Sequence, residues 1–446
     1  MIALVICVRF VLGDIGMAGL RAQVPNAPEV HTGSPPDALR PASAEDVERW
    51  RTQIRQALFI DDPLPTLAPR HYGNFFPAPD VIAERVTYAT SYGMRVPAIV
   101  YRPALSGKHR PGLVIVNGHS GDKSSWYAFY SGILYAKAGA VVVTYDPVGE
   151  HERNSSRDSD TKAHDTFVPG AEMPQRMGGQ MITDIMQAVG YLAQRSDVDP
   201  ARIAVAGYSM GSFHAAIAGA LDPRIHALIL SGGGNLDGAG GYWDSSSKVM
   251  CQAGPYRALE FLPDRGAVLY ALNQRRGPTF IMNGTVDPLV VVPHTMEPFF
   301  DDLRNRTAAL TGTRVGLFET YWIPEAGHRP NFVTRLAALW LNDQLHFPNW
   351  SDDTIRRFGE VHISEWAAQT GAHIGSGFQK EVSEGGVRAL AADVPDVPRS
   401  QLQAVPLDEW KRHKGDFVWE SWVERAKAAV ENQNAKKQLN YAFPNS

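Results

Sequence analysis

The sequence predicts an α/β fold, doubly wound around a mostly parallel sheet, and two observations carry that expectation. Six short apolar runs recur from about residue 111 onward: Leu113–Val116, Val141–Tyr145, Ile203–Ala206, Ala227–Leu230, Thr279–Met282 and Phe318–Ile323. Leu113–Val116, Ile203–Ala206 and Ala227–Leu230 are unbroken stretches of aliphatic residues, the pattern of strands buried on both faces. Helical patterns fall between or after them, at about 124–137, 180–194, 210–221, 296–310 and 331–345. Strand alternating with helix makes the crossover connections of a parallel sheet.

Residues 1–27 form a leader whose apolar stretch, Met1 to Leu12, is interrupted by Arg9 and is too short and charged to span a bilayer. It reads as a weak secretory signal cut after Ala22, or as an extension without a targeting role, since no basic residue precedes the apolar run and Leu20 sits at position −3. A secreted or periplasmic location is expected, with a cytoplasmic one as the alternative. Residues 28–82 form an N-terminal extension. In it Ser43 caps a helix to about Leu58, with Val47, Trp50, Ile54 and Leu58 on one face, before a Pro-rich stretch at 62–79. The main domain is expected over 83–348 and opens with an antiparallel hairpin, Glu84 to Tyr101, turning at Tyr92-Gly93. Residues 349–446 form a C-terminal extension, partly helical, in which Phe417, Trp419, Trp422 and Val423 dock a helix spanning about 410–439.

Composition narrows the function classes. The 446 residues carry a net charge of −4, with 20% charged and 44% hydrophobic residues, the balance of a soluble protein with a sizeable core. Near-neutral charge leaves no electrostatic footprint for nucleic acid, and no basic block suggests an anionic membrane surface. Two cysteines, Cys7 and Cys251, exclude a disulfide framework and a Cys-rich metal site. Fourteen histidines show no compact ligand spacing, so no metal is expected, and no dinucleotide or phosphate loop calls for a cofactor.

The strongest chemical signal is Gly207-Tyr208-Ser209-Met210-Gly211, set between an apolar strand and a helix. A G-x-S-x-G sequence there suits a sharp turn that lifts a serine hydroxyl out of the sheet, and side chains at the glycines would collide where the backbone folds back. Serine needs a base, and the base an orienting carboxylate. His328, just past the last strand, is the base, and Asp287, in the loop after the preceding strand, is the acid; Glu325 is the fallback acid. The order Ser209, Asp287, His328, each beyond the carboxyl end of its own strand, suits nucleophilic catalysis in this class of fold. The oxyanion donors are expected to be the backbone N–H groups of Met210 and His119, with Ser120 as runner-up for the second. The His119 imidazole lines the pocket or serves as a second base. The glycine-rich stretch 231–241 reads as a mobile loop beside the pocket, with Tyr242 and Trp243 to stack on a sugar or to anchor the loop.

These motifs, with Tyr145-Asp146-Pro147-Val148-Gly149-Glu150-His151-Glu152-Arg153 and Asp197–Ile203, resemble the α/β-hydrolase superfamily over roughly Glu84 to Leu345. Within it the chain is similar to acetyl-xylan-esterase-like and dienelactone-hydrolase-like esterases. It departs from them at Ser212, where many relatives have a second glycine, and at Asn117-Gly118, where a His-Gly pair is usual. Ser209 argues against the cysteine chemistry of dienelactone hydrolases proper. The resemblance implies an α/β-hydrolase fold and a serine carboxylester hydrolase acting through an acyl-enzyme on acetylated carbohydrate or small esters. Two alternatives stand: a serine peptidase of prolyl-oligopeptidase type, and a non-catalytic binding relative of the fold. No nucleic-acid partner or membrane span is expected, and the sequence leaves the oligomeric state open.

Overall fold

The computed structural model describes residues 39–442 apart from 171, 237, 239–241, 290–295, 376–377 and 379–385. The leader expected at 1–27 and part of the glycine-rich loop lie outside the described residues. Helix α1 (Ala44–Ala57) starts as expected: Ser43 accepts from the Asp46 amide while the Asp46 carboxylate accepts from Ser43 N–H, a capping box. Three strands follow, β1 (Arg70–Ala78), β2 (Val81–Ala89) and β3 (Arg95–Pro103). Then come β4 (Arg110–Val116), α2 (Trp126–Ala138), β5 (Val141–Tyr145), α3 (Met173–Ala193), β6 (Val198–Tyr208), α4 (Met210–Leu221) and β7 (Ala227–Ser231). The sheet and its helices are completed by α5 (Gly254–Arg257), α6 (Arg265–Gln274), β8 (Thr279–Gly284), α7 (Met296–Thr311), β9 (Glu319–Ile323) and α8 (Arg335–Leu345).

The nine strands form one sheet in the order β1-β2-β3-β5-β4-β6-β7-β8-β9. The pairs β1–β2, β2–β3 and β3–β5 are antiparallel, and every pair from β5–β4 to β8–β9 is parallel. Successive residues of the central strands enter two different cores. Val114, Val205, Leu228 and Leu230 pack with α1, α3 and α4, whereas Leu113, Ile115, Ala204, Ala206 and Ile229 pack with α2 and α8. Burial on both faces is why these strands read as continuous apolar runs.

The C-terminal extension builds onto the second core. It holds α9 (Asp352–Arg357), a ribbon of β10 (Gly359–His362) and β11 (Arg388–Ala391) flanking α10 (Ile363–Thr370), then α11 (Leu407–Arg412) and α12 (Trp419–Ala442). Trp366, Leu390, Leu402, Trp410 and Phe417 join α2 in one apolar cluster. Phe417 and Trp422 are fully buried, and Trp422 meets the Tyr92 ring edge-on, so α12 closes over the hairpin turn. Among the described residues, no helix is long and apolar enough to cross a membrane.

Candidate active site

The site is built at the carboxyl ends of the parallel strands, where α/β sheets place their ligands. Strand β6 delivers Ser209 into a turn with φ 53° and ψ −119°, a strained conformation for a residue with a side chain, and α4 starts at the next residue. The glycines that flank it are steric requirements. A Cβ on Gly207 would lie 2.4 Å from the Gly211 carbonyl oxygen, and one on Gly211 would lie 2.5 Å from the carbonyl oxygens of Val116 and Asn117. Ser212 closes the turn, its hydroxyl donating to the Ser209 carbonyl at 2.7 Å.

His328 Nδ1 lies 2.8 Å from Asp287 Oδ2. Asp287 is fully buried, and its other oxygen accepts the Leu289 N–H at 2.8 Å, which fixes the carboxylate plane. Glu325, the fallback acid, is exposed in the loop, and its backbone N–H donates to Thr285 Oγ1. The nitrogen of His328 turned away from Asp287, Nε2, is buried and without a hydrogen-bond partner among the described residues. Ser209 and His328 therefore line the same cavity without a hydrogen bond between them, an arrangement common before substrate closes the site. Gly232, with φ 63°, makes room for the imidazole: a Cβ there would lie 2.8 Å from His328 Cε1.

The cavity measures about 470 Å³ and is lined by His119, Ser209, His328, Tyr242, Trp243 and Lys248 among others. Met210 N–H sits at the first position of α4, where helix geometry leaves amides without an intrahelical acceptor. His119 stands in the loop after β4, and its side chain lies 2.7 Å from Asp165 Oδ2. Ser120, the runner-up donor, follows it at φ 70°. Of the two aromatics singled out in sequence, Trp243 is an anchor. It is buried, stacks on Phe213 at 4.6 Å between ring centroids, and donates to the Asn235 carbonyl. Tyr242 is 37% exposed on the cavity wall.

Sequence reasoning missed the charged frame beneath the site. Lys123 is fully buried, with its ammonium 2.5 Å from Asp146 Oδ2 and 2.7 Å from Glu152 Oε2. Burial alone would raise the Asp146 carboxyl, but the neighbouring Lys123 and His151 hold it well below the usual range. Glu152 also accepts the backbone N–H groups of Ala404 and Val405, so one carboxylate ties the loop after β5 to the C-terminal extension. Arg153 pairs with Asp184 of α3 in the same buried layer. The Tyr145–Arg153 segment gave the signal, but its partners are remote in sequence.

The sequence matches the family model of acetyl xylan esterase over residues 49–231 and that of the prolyl oligopeptidase family over residues 170–350. No curated protein sequence matches the chain. Among solved structures it is similar to a methylesterase, with TM-score 0.57 and 18% identity, over 90% of this chain and 78% of that one. It also aligns with an acetyl xylan esterase from Thermoanaerobacterium (TM-score 0.46, 16% identity, 71% of this chain and 96% of that one). A glucuronoyl esterase from Teredinibacter turnerae gives TM-score 0.46 and 18% identity, over 67% of this chain and 86% of that one. The two family models overlap over residues 170–231, the segment that contains β6, Ser209 and α4.

Proposed function

We propose that this chain, which is similar to the acetyl xylan esterases, is a serine carboxylic ester hydrolase that works through an acyl-enzyme on Ser209, with His328 as base and Asp287 as its partner. Ser209 Oγ attacks the ester carbonyl as its proton passes to His328 Nε2. Asp287 holds the imidazole at Nδ1 and stabilises the cation that forms. The N–H groups of Met210 and His119 stabilise the developing oxyanion. His328 then gives its proton to the departing alcohol and activates water for deacylation. The observation that carries this reading is the 2.8 Å His328–Asp287 contact on the wall of the cavity that Ser209 lines.

The substrate we propose is an acyl ester of a carbohydrate. A second cavity of about 680 Å³ shares His119 with the first and is lined by Trp126, Phe129, Asp396 and Arg399, giving apolar and charged surface for a bulky alcohol part. The catalytic unit we propose runs from β1 to residue 348, because β1 and β2 belong to its sheet, with the segment before Arg70 and residues 349–446 as extensions around it. Hydrolysis of p-nitrophenyl acetate and of acetylated xylan, with acetate release as readout, tests the reading. Asp287→Ala should lower kcat by about 10⁴-fold and Glu325→Gln should leave it unchanged; the reverse ranking would contradict it.

The peptidase reading draws on one observation, that the prolyl oligopeptidase model spans Ser209, Asp287 and His328. Residues 70–103, however, contribute three strands to the same sheet and are no separate propeller. Faster cleavage of a prolyl p-nitroanilide than of the acetate ester would favour the peptidase.

A further inference from the structure

We propose that His119, His164, Asp165 and Cys251 form a binding site for one divalent metal ion of zinc type in the wall of the cavity that Ser209 lines. The donor atoms of these four residues all lie within 4.8 Å of one another. They come from three loops: His119 from the loop after β4, His164 and Asp165 from the turn Ala163–Asp165, and Cys251 from the turn Val249–Ala253. Their wide separation in sequence is why no compact ligand spacing announces the site.

An independent observation points to a ligand. His164 is fully buried, and its Nε2 has no hydrogen-bond partner among the described residues. Its Nδ1 lies 3.2 Å from the Val148 carbonyl oxygen, which can only accept. The ring proton therefore belongs on Nδ1, and the Nε2 lone pair is left toward the cluster, the arrangement in which a backbone carbonyl orients a metal-binding imidazole. Asp165 Oδ1, 4.0 Å away, offers Nε2 a second lone pair and no proton.

The remaining donors complete a mixed set. Cys251 Sγ lies 3.1 Å from Asp165 Oδ1, and the His119 and His164 rings meet edge-on with centroids 5.0 Å apart. When a dication enters, the Cys251 thiol releases its proton to solvent and the sulfur electron pair forms the bond. Two neutral imidazoles, one carboxylate and one thiolate then balance the ion's charge. Lys248 Nζ pairs with the same carboxylate, 2.9 Å from Asp165 Oδ2, and His214 Nε2 lies 2.9 Å from the Cys251 carbonyl oxygen. Sulfur and imidazole donors select zinc or a similar borderline-soft ion over calcium and magnesium, and four ligands suit a tetrahedral centre. Such an ion would clamp the loop carrying His119, which lines the cavity, against the turns that carry Asp165 and Cys251. The site does not depend on the roles given to Ser209 and His328.

The test is metal content of the full chain, purified in zinc-supplemented medium and desalted, followed by cobalt(II) titration of chelator-treated protein. About one equivalent of zinc is expected, and cobalt should produce a near-ultraviolet thiolate-to-cobalt charge-transfer band. Chelation should also lower Tm. Cys251→Ala should abolish the band, and Asp165→Asn should weaken cobalt binding at least tenfold, as expected for loss of one ligand's charge. A folded wild-type protein with neither bound metal nor a cobalt band overturns the proposal. So does metal binding that is unchanged in Cys251→Ala.

Discussion

The residue just before the proposed nucleophile holds the loop of the proposed base: the Tyr208 hydroxyl donates to the His328 carbonyl oxygen at 2.9 Å. The Tyr208 ring also lies against the imidazole, with centroids 5.0 Å apart and planes inclined by 38°. Two loops from different strands are joined by one side chain. The Ser231 hydroxyl continues the brace, donating to the Arg329 carbonyl oxygen at 2.7 Å and accepting the Asn331 N–H at 2.7 Å.

Tyr208→Phe keeps the ring contact and removes only the hydroxyl. A single hydrogen bond is worth about 1 kcal/mol, so kcat should fall about fivefold with little change in KM, because the imidazole is held less well rather than removed. An unchanged kcat in steady-state ester hydrolysis would show that the brace does not position His328.

Lys123→Ala would leave the buried carboxylates of Asp146 and Glu152 without their ammonium partner. Breaking a buried ion network by removing one member costs about 3–5 kcal/mol, because the residual charges stay desolvated. Chemical denaturation should show a loss of that order. A loss below about 1 kcal/mol would mean that the layer relaxes or admits water.

Glu84 predicts the acid side of the stability profile. Burial alone would raise its carboxyl, but hydrogen bonds and charge from Arg195, and then Arg102, outweigh it and hold the group below its ordinary value of 4.5. A carboxyl depressed on folding stabilises the protein above the unfolded-state value and loses that contribution as pH falls through the folded value. Glu84→Gln should therefore cost about 1–2 kcal/mol at pH 7, and its Tm deficit should shrink progressively below about pH 4.5. A deficit independent of pH would show that packing, not charge, is responsible.

The sheet and the placement of the three proposed catalytic residues were legible because each rests on a local pattern. Val141–Tyr145 and Met210–Leu221 match their expected bounds, since the first opens on three consecutive valines and the second begins directly at the Ser209 elbow. Strand β1 was hidden in a stretch expected to be Pro-rich loop. It lies at the sheet edge, where Phe76 is 67% exposed, and so lacks a buried run. Helix α3 starts at Met173 instead of about 180 because Gly178-Gly179 weakens its helical signal. Gly179 is required there: a Cβ would lie 1.8 Å from the Leu58 carbonyl oxygen. Helix α6 was missed because Arg265 to Asn273 are all buried, leaving no polar face to mark the period. The Lys123 layer and the His164 cluster depend on partners that only the fold brings together.

The central claim is that Ser209 carries the acyl group. Mixing the protein with a p-nitrophenyl ester in excess and quenching early should yield a species heavier by one acyl group, with the modification located on the peptide containing Ser209 by mass spectrometry. Ser209→Ala should show no such species and a kcat lower by about a million-fold. Acylation of another residue, or near-wild-type turnover by folded Ser209→Ala, would contradict the account.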